Sequence, residues 1–299
     1  MIESFEKQMI YYKNRIIITC FFILISFYLG SFYQNLLSLI LILTIGIIHG
    51  ANDIMLIQKK TKNYNVNFFF KSILIYVLVV LIGVFLFFYF PSIGLIFFIL
   101  FSGYHWGEQH WEDKLRIKDI PQSLKYFFYT SYGILVLSIL LLIKFDDTKL
   151  VINSITNYQI SELELKITLT VSLFIFILFN YYNTIRVNII IETIVLIIFY
   201  VLFNYSTLMF GFGVYFVFWH SFPSMKDQIK FLYGSYDNKT LLKYIKSSFI
   251  YWAFSILSLF VIYFYFEIPE KYFFPLFFSF LAAITFPHTL VIGNLKRLL

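Results

Sequence analysis

Histidine is scarce in this chain and unevenly placed. Only His49, His105, His110, His220 and His288 occur, each inside or at the edge of an apolar run. Imidazole is the commonest neutral metal ligand near physiological pH. Polar side chains at membrane depth are costly and usually face a bundle interior or a functional site. Four imidazoles without a thiolate suit iron, copper or zinc by ligand type. The bland alternative is that each ring hydrogen-bonds a neighbouring helix and only glues the bundle. Cys20 is the one cysteine, so no intrachain disulfide, CxxC pair or thiolate site can form. Within its apolar run it reads as a packing residue.

The residues around the histidines sharpen the chemistry. The first motif is His49-Gly50-Ala51-Asn52-Asp53. On one helix face, a carboxylate four residues on can accept the second N–H of a ligand imidazole. Gly46 and Gly50 form a GxxxG pair that admits a neighbouring helix. The second motif runs Ser102-Gly103-Tyr104-His105-Trp106-Gly107-Glu108-Gln109-His110-Trp111. Glu108 and Gln109 lie one turn beyond His105 and can support it. His110 lies roughly 140° round the helix from His105, so a regular helix cannot easily aim both at one ion. His110 is expected at the membrane edge, flanked by Trp106 and Trp111 as interfacial anchors, with His110 kept as an additional candidate ligand. The third motif is Trp219-His220-Ser221-Phe222-Pro223-Ser224, and the fourth is Phe286-Pro287-His288-Thr289. Pro287 removes a helix hydrogen bond just before its histidine and is expected to kink the span.

These side chains need elements to carry them, and the composition says which. Of 299 residues, 60% are hydrophobic and 13% are charged, too few to coat a soluble domain of this length. The chain reads as one all-α polytopic transmembrane bundle over residues 1–299. A helix needs about 20 mostly apolar residues to cross the hydrocarbon core. Ten such runs lie near 16–32, 35–57, 72–90, 93–111, 126–143, 166–183, 187–204, 206–222, 248–266 and 272–293. Pro91, and Asn204 with Ser206, separate neighbouring runs. Arg186 and Glu192 interrupt the sixth and seventh, so the count ranges from eight to ten. The first run has no small-residue cleavage site and is expected to be a retained helix. Aromatics make up 23% of the chain, with 40 Phe and 24 Tyr; an AT-rich genome explains this as readily as a role in binding.

The net charge of +7 does not point to nucleic acid, because the basic residues lie between apolar runs rather than on one face. It marks orientation instead. With both termini inside, the basic residues on the inner side include Lys59, Lys60, Lys62, Lys114, Arg116, Lys118, Arg186 and Arg297. Of the 23 Lys and Arg, all but Lys144, Lys149, Lys166 and Lys271 fall there, as the positive-inside bias requires. In this topology His49, His105, His220 and His288 sit on four spans that run in the same direction, all in the cytoplasmic half. Four imidazoles at similar depth on parallel helices can converge on one ion.

Taken in order, these motifs resemble those of the Brp/Blh family of membrane β-carotene 15,15'-dioxygenases. The family pattern is H-G-A-x-D, then H-[FW]-G, then His-Ser, then P-H near the last helix. His49 to Asp53, His105 to Gly107, His220 with Ser221, and Pro287 with His288 match it. Two positions depart: family members often carry a His where this chain has Ser224, and an Asp where it has His110. The resemblance implies a non-haem Fe(II) enzyme with His49, His105, His220 and His288 as catalytic metal ligands. It implies O2-dependent cleavage of β-carotene, or a related apolar polyene, to retinal. A bacterial inner-membrane location, substrate entry from lipid and a retinal-binding acceptor protein as partner follow as expectations.

Three other readings compete. A related enzyme acting on another carotenoid or isoprenoid differs only in tunnel shape. Haem electron transfer normally uses paired histidines at two depths, whereas these lie at one. Transporters tend to show internal repeats and mid-span charges; no repeat is visible, and Glu192 is the one clear mid-span acid.

Overall fold

The computed structural model describes residues 2–115, 120–182 and 189–296. Arg116, Lys118, Arg186 and Arg297, which contributed to the charge pattern, lie outside the described residues. In chain order the helices are α1 (Ile2–Tyr28), α2 (Ser31–Leu41), α3 (Asp53–Thr61), α4 (Val66–Tyr89), α5 (Pro91–Leu115), α6 (Gln122–Ile143) and α7 (Phe145–Thr156). They continue with α8 (Glu162–Tyr182), α9 (Ile189–Tyr205), α10 (Leu208–Val214), α11 (Phe222–Tyr233), α12 (Asn238–Tyr265) and α13 (Phe273–Lys296). Among the described residues there is no strand, as the composition predicts.

Among the described residues, four helical segments are long and apolar enough to cross a membrane: Val66–Tyr89, Gln122–Ile143, Asn238–Tyr265 and Glu270–Gly293. Ser31–Gly46 and Ile189–Tyr205 are shorter apolar helices. On α4, Leu74, Leu78, Leu81, Phe85 and Phe88 are exposed; on α12, Phe249, Ile250, Phe254 and Leu257 are exposed. Water would not tolerate so large an apolar surface, whereas hydrocarbon does.

The chain divides into two compact units, each discontinuous in sequence. The first comprises Met1–Ile42, Gly103–Lys149 and Ile160–Ser221. Here α6 packs on α8 and α9, α1 on α9, and α2 on α10. Phe128 of α6 stacks on Phe179 of α8 with ring centroids 3.8 Å apart. Glycine permits the close approach of α5 and α6. A Cβ on Gly107 would overlap the Tyr129 carbonyl, and one on Gly133 would overlap the Gly103 carbonyl. The second unit comprises Leu43–Ser102, Leu150–Gln159 and Phe222–Leu299. There α13 packs on α4, α3 and α12, and α11 packs on α3 and α12. A Cβ on Gly83 would lie 2.8 Å from the Phe286 ring, so α4 crosses α13 closely just before His288.

Three local expectations are corrected. The run read as one span over 35–57 is not a continuous helix. A π-helical stretch covers Ile42–Gly46, and turns occupy residues 49–52 before α3 begins. The run near 206–222 likewise contains a π-helical stretch, Tyr215–Ser221. Cys20 is exposed on α1 and is not a packing residue.

Candidate metal centre

In the second unit, His49 opens the turn that follows the first π-helical stretch. A π turn spends an extra residue per hydrogen bond and redirects what comes after it. The His49 Nδ1 hydrogen-bonds the Gly46 carbonyl oxygen. The turn is pinned from α12 and α11. Tyr244 donates its hydroxyl to the His49 carbonyl oxygen at 2.9 Å. The Gln228 side-chain amide links the Tyr244 hydroxyl at 2.7 Å to the Ser224 hydroxyl at 3.1 Å. Asn52 donates to the Tyr244 carbonyl at 3.0 Å and accepts from Ser247 at 2.9 Å.

His288, on α13, meets His49 edge to face with ring centroids 4.7 Å apart. Its Nδ1 donates to both oxygens of Asp53, at 2.9 and 3.0 Å. Asp53 in turn accepts from the Tyr76 hydroxyl at 2.9 Å. This corrects the expectation that Asp53 would orient His49. The turn at 49–52 breaks the four-residue helical spacing, so the carboxylate serves the histidine across the unit. Gly50 leaves room for that ring, since a Cβ there would lie 3.3 Å from the His288 Nδ1.

In the first unit, His105 of α5 meets His220 edge to face at 4.5 Å between centroids. His220 sits near the end of the second π-helical stretch. Ser221 donates to the Phe216 carbonyl at 2.9 Å. Phe216 stacks on the His220 ring at 5.5 Å, and Trp106 lies 6.2 Å away. Glu108 is buried with one oxygen 3.9 Å from the His105 Nδ1. Tyr104 holds its other oxygen at 2.6 Å. Gln109 is buried as well. Both Trp106 and Trp111 are buried, at 4% and 0% exposure, and so is His110. They are core residues, which corrects their reading as anchors at the membrane edge.

His110 joins a separate buried cluster. Its Nε2 lies 2.8 Å from Glu192, 2.9 Å from the Tyr12 hydroxyl and 3.1 Å from the Tyr132 hydroxyl. Lys114 pairs with Glu192 at 2.7 Å and also donates to Tyr12. Tyr12 donates to Glu192 at 3.0 Å. A carboxylate at 0% exposure needs such partners, because an isolated buried charge is prohibitive. Glu192 therefore ties α1, α5 and α9 together.

The donor chemistry of each pair fits a transition metal. In both pairs two buried imidazoles stand edge to face, and their candidate ligand nitrogens lie within 4.8 Å of each other. Two nitrogens each about 2.1 Å from one ion are at most about 4.2 Å apart, which is close to the 4.8 Å bound on these nitrogens. In the first pair, acceptors at Nδ1 of His49 and His288 hold the ring protons there. That tautomer leaves Nε2 as the electron-pair donor, the usual arrangement for a ligand histidine.

Tyr76, Tyr244 and Gln228 escaped the sequence reading. Tyr76 and Tyr244 are two among many tyrosines in apolar runs. Gln228 carried a faint signal, a polar residue one turn after Ser224 beside an apolar span.

The family model described as beta-carotene 15,15'-dioxygenase matches residues 40–296. That range holds all four motifs and most of the chain. No curated protein and no solved structure matches the chain. With the matched range covering the paired histidines and their supports, the chain belongs to the beta-carotene 15,15'-dioxygenase family.

Proposed function

We propose that this chain is a multi-pass membrane enzyme that uses O2 and Fe(II) to cleave β-carotene at its central 15,15' double bond, giving two molecules of retinal. The observation that carries the reading is the His49–His288 pair braced by Asp53, within a chain of the β-carotene 15,15'-dioxygenase family. In this reading His49, His105, His220 and His288 together hold the iron. When bound, Fe(II) supplies a ferrous centre whose neutral ligands leave positions open for O2.

The chain's own residues have distinct tasks. The Gly46 carbonyl and Asp53 keep the ring protons of His49 and His288 on Nδ1. Glu108, steadied by Tyr104, faces the Nδ1 side of His105. Trp106 and Phe216, which pack against the His220 ring, supply apolar surface beside that histidine. A carotenoid dissolves in lipid, so entry from the bilayer suits a site between apolar helices. Retinal leaves to the membrane or to a retinal-binding acceptor. The topology that suits the charge pattern is ten spans with both termini inside, in a bacterial cell membrane.

Expression of the full chain in a β-carotene-producing host tests this. Loss of orange pigment with accumulation of retinal is expected. Bleaching without retinal would move the substrate or the cleavage position elsewhere, and unchanged pigment would refute the reading.

A further inference from the structure

Tyr76 lies in the middle of the apolar α4 run, and nothing in its sequence neighbourhood marks it. Its hydroxyl nevertheless reaches a carboxylate on another helix, Asp53 Oδ2 at 2.9 Å. Asp53 is 1% exposed, and both its oxygens face the His288 Nδ1. A carboxylate in this position can rotate about its last bond. One donor approaching from the histidine side does not fix that rotation. A second donor on Oδ2 from another helix does, because turning the group would break one bond or the other. Apart from Tyr76, residues 73–82 of α4 are all aliphatic, so its hydroxyl stands alone in that apolar stretch.

We propose that Tyr76 is a positioning residue that acts on His288 through Asp53, fixing the carboxylate and thereby the aim of the His288 Nε2. The inference rests on the metal reading of the previous subsection. Partners one shell out from a ligand histidine set its ring orientation and basicity, and losing one typically weakens metal binding about 10- to 100-fold. The Tyr76 hydroxyl bonds Asp53, so its effect reaches His288 through that carboxylate.

The test is a double-mutant cycle read as metal affinity rather than turnover. Purified full-length wild type, Tyr76→Phe, Asp53→Asn and the double variant are titrated with Fe(II), and with Co(II) as a spectroscopic probe. Tyr76→Phe keeps the ring and removes only the hydroxyl. It is expected to weaken binding about 10-fold and to change the Co(II) visible bands. In the Asp53→Asn background the same change is expected to have little further effect, since groups acting through one another are not additive. If Tyr76→Phe binds both ions as wild type does, or loses equally in both backgrounds, the inference is overturned and the metal reading stands. If wild type itself takes up neither ion, the metal reading falls and this inference with it.

Discussion

Asp53 and His288 lie 235 positions apart in sequence, yet both oxygens of the carboxylate accept from the histidine's Nδ1 N–H. The first and last motifs of the chain are thus one structural device. Asp53 sits in the first turn of α3, where the partial positive charge of the helix N-terminus favours a carboxylate. The turn at residues 49–52 delivers it to His288 while His49 finds its own acceptor in Gly46.

Gly50 is where that device has least slack. Gly50→Ala places a methyl group 3.3 Å from the His288 Nδ1, closer than ordinary contact. The ring must yield while the helices need not. Isothermal titration is expected to show weaker Fe(II) binding, by about 10-fold on the scale of disturbed outer-shell partners, with little change in thermal midpoint. Unchanged affinity would mean that the His288 ring has room to spare.

The Glu192 cluster gives a prediction of the opposite kind, large for stability. Removing one member of a buried ion pair leaves the other charge uncompensated, at a cost of about 3–5 kcal/mol. Glu192→Ala or Lys114→Ala is therefore expected to lower the thermal midpoint sharply in detergent. Lys114→Met combined with Glu192→Leu is expected to recover much of that loss, because an apolar pair of similar volume is often nearly neutral. A double variant as unstable as the singles would show that Tyr12 and His110 cannot do without the carboxylate.

A third prediction concerns the α5–α6 crossing that carries His105. Gly107→Ala would drive a methyl group into the Tyr129 carbonyl. Backbone cannot move aside as a flexible side chain does, so the helices must separate. A cost of at least about 1–3 kcal/mol is expected from overpacking, seen as a lowered midpoint and weaker metal uptake together. Retained stability would mean that the crossing is looser than the glycine contacts indicate.

Outside the spans, Asp237 caps α12. Its side chain accepts from the Lys239 and Thr240 backbone N–H groups, and Thr240 donates its hydroxyl to the Asp237 carbonyl oxygen. The Ser235 hydroxyl bonded to the carboxylate, with these backbone donors, holds its pKa below the ordinary value. A carboxyl group whose pKa is depressed in the folded state stabilises fully above its unfolded pKa. That contribution is lost as pH falls through the folded value. Asp237→Ala should lower the thermal midpoint slightly at neutral pH, and the difference from wild type should shrink in acid. A difference independent of pH would mean that the charge of the carboxylate contributes nothing to the cap.

Much of the site was legible because its parts are chemically rare. Five histidines in an apolar chain stand out, and their motifs mark four of them as candidates, but no spacing in the sequence says that His49 meets His288 or that His105 meets His220. Several of the misread parts share one cause, the assumption of regular helix. Residues 49–52 leave the helix, so Asp53 serves His288 instead of the histidine four residues before it. The π turns ahead of His49 and around His220 have no periodicity to announce them. Trp106 and Trp111 have a composition that suits a membrane edge equally well, and only tertiary packing reveals them as core. Glu192 was visible as a mid-span acid, but Lys114, Tyr12 and His110 come to it from distant helices. Tyr76 needed the fold to distinguish it from the other tyrosines.

The central claim is that histidine-held iron in this chain splits a carotenoid at its midpoint. The most direct measurement is incubation of the purified, Fe(II)-loaded protein with β-carotene and O2, with products separated and counted. Two molecules of retinal per β-carotene consumed, abolished in His49→Ala and His220→Ala proteins that remain folded, are expected. Cleavage products of unequal length, or retinal formation that persists in both histidine variants, would contradict the account.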